Sequence, residues 1–240
     1  MKKSQREFEG SQEGIACKEI NFLDVLKKLN SADLLDELIL IGGWCLYVYS
    51  ECFEDSEEVP VKRTTDIDFL IPNPPKLKHK ANVVELLKDL DFSVEHNFSN
   101  NFNKFVHPDL EVEFLMNLKG RGEKDIIDIK DLSVTAILLR YLSILESNVM
   151  CVSYNGLFLQ VPEPAAYTLH KYIVSERRKN EIKAVKDMET AKDMTRFLLK
   201  HDDQRIKLKY IFNNFSNGWQ KTLLKILEKE QLELFHFFKS

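Results

Sequence analysis

Apolar residues recur at helical spacing near both ends of this chain and at strand spacing in its middle. Over Lys18 to Leu29, Ile20, Leu23, Val25, Leu26 and Leu29 mark one face of an amphipathic helix. Leu38 to Ile41 is a short continuous apolar run, which predicts a buried strand halted by Gly42-Gly43. Trp44 to Phe53 predicts a helix, and Glu54 to Lys62 an acidic, turn-rich insertion. Asp66 to Ile71 alternates polar and apolar residues until Pro72-Asn73-Pro74-Pro75 breaks it. A helix is expected from Lys80 to Leu90, then three strands: Phe92 to His96, Phe102 to Val106 and Leu110 to Met116.

The second half has a different rhythm. Val134, Ile137, Leu138, Tyr141, Leu142 and Leu145 have helical spacing, so a helix is expected there. Val149 to Tyr154 and Leu157 to Val161 flank Asn155-Gly156, a strong hairpin signal because both turn positions favour positive φ. Beyond Pro162 and Pro164 the pattern is helical to the end, with breaks expected at Lys179-Asn180, Asp202-Asp203 and Ser216-Asn217-Gly218. The expected fold class is α+β, with a small mixed β-sheet domain over residues 18–161 and a mostly helical domain over 162–240. Residues 118–161 are the least regular part of the first domain, and residues 1–17 are polar and expected to fray.

Length and composition narrow this picture. At 240 residues, one or two domains are expected, and 44% hydrophobic with 30% charged residues is the balance of a folded globular chain. Thirty-four basic against 38 acidic residues argue against a protein that coats nucleic acid through bulk charge. The charge is uneven: residues 1–60 carry six Lys/Arg and thirteen Asp/Glu, whereas residues 163–200 carry nine and six. No apolar stretch approaches the roughly 20 residues that span a bilayer, and the start lacks the apolar core of a secretory signal. Cys17, Cys45, Cys52 and Cys151 form no CxxC pair or metal-ligand spacing. A cytoplasmic, reduced protein without a membrane partner is expected.

Three short elements carry candidate chemistry. Asp66 and Asp68 lie two apart on a strand, hence on one face, about 6 to 7 Å apart along the chain. Two carboxylates held so close call for a cation, and oxygen-only ligands suit Mg2+. Gly42-Gly43, between a strand and a helix start, lets a phosphate approach backbone N–H groups. Glu111 and Glu113 share a strand face opposite Val112 and Phe114, so either could add a third carboxylate; Glu113 leads into the apolar Phe114-Leu115 and is nearer the buried centre. In the helical half, Lys171, Ser175 and Arg178 fall on one helical face. Lys183, Lys186 and Asp187 fall on one face of the next helix, beside an apolar stripe of Ile182, Val185 and Met188. His170 is either a ligand contact or a capping or core residue, and the other five histidines are scattered. P-loop, Rossmann and α/β-hydrolase motifs are absent.

The order strand, Gly42-Gly43, helix, Asp66-Ile67-Asp68 and an acidic residue on a later strand resembles the nucleotidyltransferase superfamily with the DNA polymerase β-like fold. Lys62-Arg63-Thr64-Thr65 resembles the basic lead-in to its Asp-x-Asp pair. Pro162-Glu163-Pro164, His170-Lys171, Ser175, Arg177-Arg178 and Lys183 to Asp187 resemble a bacterial branch with a C-terminal helical domain. The chain departs from compact members in the 22 residues between Gly43 and Asp66, and in having Glu where Asp is commoner as the third carboxylate. The resemblance implies transfer of a nucleoside monophosphate from an NTP such as ATP to an acceptor hydroxyl, with release of pyrophosphate. It implies Asp66 and Asp68 holding two Mg2+ (or Mn2+) ions, with Glu113 on the catalytic ion and aiding removal of the acceptor's proton. Gly42 and Gly43 would cradle the β and γ phosphates, and Lys171, Ser175 and Arg178 would close on the triphosphate. The acceptor could be RNA, a protein or a small molecule. The alternative is a nucleotide-binding regulatory or toxin-type module with lost or partner-restricted catalysis.

Overall fold

Asn21 opens the first helix through a reciprocal cap: its side chain accepts from the Asp24 N–H, and the Asp24 carboxylate accepts from the Asn21 N–H, both at 3.1 Å. The computed structural model describes residues 20–53, 59–97, 102–120 and 125–240. All of the polar N-terminal stretch, residues 1–17, and residues 54–58 of the acidic insertion lie outside the described residues. Helix α1 (Phe22–Asn30) buries Phe22, Val25, Leu26 and Leu29. Then follow β1 (Ile39–Ile41), α2 (Trp44–Cys52), β2 (Asp66–Ile71), α3 (Val83–Lys88), β3 (Ser93–Asn97), β4 (Phe102–Val106), β5 (Glu111–Asn117), β6 (Ile126–Ile129) and β7 (Val134–Leu139). A short α4 (Ser143–Glu146) leads to the hairpin β8 (Val149–Tyr154) and β9 (Leu157–Pro162), turning at Asn155 and Gly156 with φ of 49° and 78°. Five helices complete the described chain: α5 (Pro164–Ser175), α6 (Glu181–Lys200), α7 (Asp202–Asn213), α8 (Asn217–Glu230) and α9 (Leu232–Lys239).

Among the described residues the strands form one mixed sheet in the order β3-β4-β5-β2-β1-β9-β8. β2 runs parallel to β5 and antiparallel to β1, and β1 runs parallel to β9. One edge of β5 is divided: its first residues pair with β4, and Leu115 to Asn117 pair with β7, which carries β6 beyond it. Period-two alternation sorts β2 and β5 into two faces. Ile67, Phe69, Ile71, Val112, Phe114 and Met116 enter the main core. Leu70 and Leu115 instead join Ile39, Ile41, Leu142 and Leu145 in a smaller cluster on the opposite face. Asp66, Asp68, Glu111 and Glu113 share the face of that smaller cluster.

One expected element is corrected. Residues 134–139 form strand β7, and only Ser143–Glu146 of the expected helix is helical. Val134, Ala136 and Leu138 face the main core while Ile137 faces the smaller cluster. A strand buried on both faces has no polar alternation, so its apolar run imitates helical spacing. On α6, Ile182 and Val185 are 81% and 57% exposed, and Met188 of the same stripe packs on the core. α6 also packs through Asp187, Thr190, Ala191 and Met194.

The passage from strands to helices falls at Pro162–Pro164, where the buried Tyr49 hydroxyl donates to the Pro162 carbonyl at 2.7 Å. Asn180 and Ser216 cap α6 and α8 with their side chains, and His201 separates α6 from α7, close to the expected breaks. No helix among the described residues is long and apolar enough to cross a membrane.

Candidate active site

The register of β2 against β5 sets Asp66 beside Glu111 and Asp68 beside Glu113. Asp66, Asp68 and Glu113 line a cleft of about 630 Å³ between the sheet and helices α5 and α6. Burial, then the charges of Glu113 and Asp66, push the Asp68 carboxyl up to about 6, against the pull of Lys171 and Lys183. This face therefore holds negative charge that its own cations leave partly uncompensated.

Gly42 explains how the Asp68 carboxylate is seated. Ile41 pairs with Asp68 across β1 and β2, so Gly42 lies just past that pair. Its φ is +75°, and a Cβ there would stand 2.1 Å from Asp68 Oδ2. A Cβ on Gly43 would meet the Thr64 side chain at 3.0 Å. Gly43 is also the N-cap of α2, with no side-chain cap and no acidic residue in the first turn. The first N–H groups of that helix, at the cleft wall, carry the partial positive charge that favours an anion.

Across the cleft, Asp187 organises the basic residues. Its buried carboxylate accepts from the Lys171 ammonium at 2.5 Å and from Arg178 Nε at 2.7 Å. Burial alone would raise this carboxyl, but Lys171 and Arg178 outweigh it and hold it below the usual carboxylate range. Lys171 and Arg178 both line the cleft, as do Lys183 and Lys186. Ser175 is placed differently: it is buried, its hydroxyl donates to the Tyr172 carbonyl at 2.9 Å, and it is not among the cleft-lining residues. Arg178 follows the end of α5 rather than continuing its face. His170 lines the cleft with both ring nitrogens buried and without hydrogen-bond partners. Burial first, then the Lys171 charge, pull its imidazole down to about 3, so it is neutral at physiological pH. Arg177 stacks over the Tyr141 ring, 5.0 Å from its centroid, at the mouth of the cleft.

Sequence reasoning missed Lys104. Its ammonium lies 3.2 Å from Glu113 Oε1 and also pairs with Glu111. β4 and β5 are antiparallel with Phe105 opposite Val112, so the next pair along that register is Lys104 and Glu113. The signal was available: Lys104 is the polar member of an alternating run separated from Leu110 to Met116 by a short His107-Pro108-Asp109 turn. Counting back from that turn puts the lysine opposite the glutamate.

Oxygen-only donors at Asp66 and Asp68, with the raised Asp68 carboxyl, fit a divalent cation such as Mg2+. Glu113 fits one less directly, because Lys104 already occupies its carboxylate. Among the described residues, no group of three or more His, Cys, Asp or Glu is placed to hold one ion.

The nucleotidyltransferase family model matches residues 21–211. No curated protein sequence matches the chain. Among solved structures, it is similar to an antigenic nucleotidyltransferase-like protein from Paracoccidioides brasiliensis, with a TM-score of 0.48 and 16% identity over 90% of each chain. It is also similar to ANT(2'')-Ia, solved in complex with adenylyl-2''-tobramycin, with a TM-score of 0.42 and 10% identity over 81% of this chain and 96% of that one. The family match spans the glycine turn, the paired aspartates and the basic wall of the cleft: the chain belongs to the nucleotidyltransferase family.

Proposed function

We propose that this chain transfers a nucleoside monophosphate from an NTP to an acceptor hydroxyl, with Mg2+ held at Asp66 and Asp68. The observation that carries the reading is the pairing of β2 with β5, which gathers Asp66, Asp68 and Glu113 on the cleft face beneath a basic helical wall. Residues 18–161 serve as the catalytic part and 162–240 as the part that binds the nucleotide. The uncapped N-terminus of α2 and the Gly42-Gly43 turn receive the β and γ phosphates. Lys171 and Arg178, kept in place by Asp187, face the triphosphate together with Lys183 and Lys186. Glu113 takes the hydrogen bond and then the proton of the acceptor hydroxyl, whose oxygen attacks the α-phosphorus. The bond from that phosphorus to the bridging oxygen breaks, and its electron pair leaves with pyrophosphate. Bound Mg2+ would neutralise charge on the triphosphate and lower the acceptor's pKa. Ser175 is given no contact with the nucleotide.

The test is pyrophosphate release from each NTP with Mg2+ and a panel of RNA, protein and small polyhydroxyl acceptors. Asp68→Asn preserves shape and removes charge, so at least a hundredfold loss of rate is expected with folding intact. Turnover by Asp68→Asn equal to that of the native chain would sink the proposal.

A further inference from the structure

We infer that Lys104 stands in for a second divalent ion at Glu113, so that the nucleotide-loaded site takes a single divalent ion, at Asp66 and Asp68. This inference rests on the function proposed above and departs from the two-ion arrangement that the family resemblance implies. Lys104 Nζ lies 3.2 Å from Glu113 Oε1, and Glu111 grips the same ammonium from the adjacent cleft-face position of β5. Backbone pairing aims this contact: the β4–β5 register sets Lys104 opposite Glu113, so no long swing of the side chain is needed. The lysine side chain is only 26% exposed, and the two glutamates replace the water that a buried ammonium would otherwise lose.

A second ion in a two-metal site sits roughly 3.5 to 4 Å from the first, bridging to the third carboxylate. Here that carboxylate already shares an ammonium with Glu111, which offsets part of its charge, and the ammonium holds the space beside it. A dication arriving there would have to break the Lys104–Glu113 pair and would repel the ammonium that Glu111 keeps beside it. Lys104 also lines the cleft, so its charge is presented to a bound phosphate as the ion's would be. It is a positioning residue for Glu113 that supplies fixed positive charge. Unlike an exchangeable ion, it cannot be removed by a chelator.

The test counts Mn2+ by electron paramagnetic resonance in the presence of a non-hydrolysable NTP analogue. One bound Mn2+ per chain, with the spectrum of an isolated ion, is expected for the native protein. Lys104→Met should admit a second Mn2+, seen as spin coupling between neighbouring ions, whereas Lys80→Met, at an exposed lysine that pairs with Asp131 and does not line the cleft, should leave the count at one. Two coupled ions in the native protein would overturn the assignment of Lys104 alone, as would a Lys104→Met count that stays at one. No bound Mn2+ in the native protein would overturn both this inference and the proposed function. Should Lys104→Met fail to fold, the native count decides.

Discussion

Gly42→Ala tests whether the glycine turn exists to seat a carboxylate. Two effects add at this position. An alanine at φ +75° pays for a left-handed backbone, about 1–2 kcal/mol. Its Cβ would also lie 2.1 Å from Asp68 Oδ2, with Cγ and Cβ of Asp68 at 3.1 and 3.3 Å, so rotating the carboxylate relieves only part of the clash. Overpacking of this kind costs about 1–3 kcal/mol. Together these predict a loss of about 2–5 kcal/mol, or a displaced Asp68. Gly156 provides an internal control: its φ is +78°, yet a Cβ there meets nothing within 4 Å. Gly156→Ala should therefore show the backbone term alone. Urea unfolding of both variants, alongside Mn2+ titration, separates the terms. Gly42→Ala should be the less stable of the two and bind Mn2+ at least tenfold more weakly, a change worth about 1.4 kcal/mol. Equal stability for the two variants, with Mn2+ binding unchanged in Gly42→Ala, would refute the account of the turn.

Two further perturbations follow from the charged groups. Because the Asp68 carboxyl is pushed up to about 6, protons compete with a divalent ion there, and Mn2+ affinity should be about tenfold weaker at pH 5 than above pH 7. The same shift acts on stability: the folded protein holds this proton more tightly than the unfolded chain, so Asp68 favours folding most below about pH 4, and that contribution is lost as pH rises through about 6. Calorimetry at a series of pH values checks the first statement, and a flat profile between pH 5 and 7 would contradict it. Asp187→Ala strands the mostly buried Lys171 ammonium without its anion, which costs about 3–5 kcal/mol, while Arg178, 40% exposed, regains water and adds little. Because the Asp187 carboxyl is held low, its stabilisation is present above the ordinary carboxylate range and is lost as pH falls through its lowered value. A loss below about 1 kcal/mol in urea unfolding would show that the clamp is not structural.

What could be read from the chain, and what could not, divides along physical lines. Asp66 with Asp68, and Glu111 with Glu113, were legible as same-face pairs because strand periodicity fixes which side chains share a face; that Glu113 joins the aspartates in the cleft needed the β2–β5 register. The hairpin at Asn155-Gly156 was legible because its turn chemistry is local. Lys104 needed the register between two strands, a tertiary fact that only a count around the His107 to Asp109 turn hints at. Strand β7 was misread because its apolar residues serve two cores at once. Ser175 shares the helical spacing of Lys171, but spacing gives the angle around an axis and not the wall against which that face packs.

The parallel pairing of β1 with β9 has a consequence for how the molecule is made. Ile39, beside the glycine turn, finds its partner Gln160 only near the end of the strand-bearing part of the chain. A nascent chain can pair β1 with β2 soon after both emerge, but the other edge of β1 stays open until the hairpin of β8 and β9 arrives. Such a topology has high contact order and folds slowly. An open edge beside the glycine turn is also a template for wrong pairing. Closure by β9 brings Pro162 to Tyr49 and starts α5, the helix that carries His170 and Lys171. Completion of the sheet and delivery of the basic wall are thus one folding event, so a partly synthesised chain carries the acidic floor without the residues that would bring a nucleotide to it.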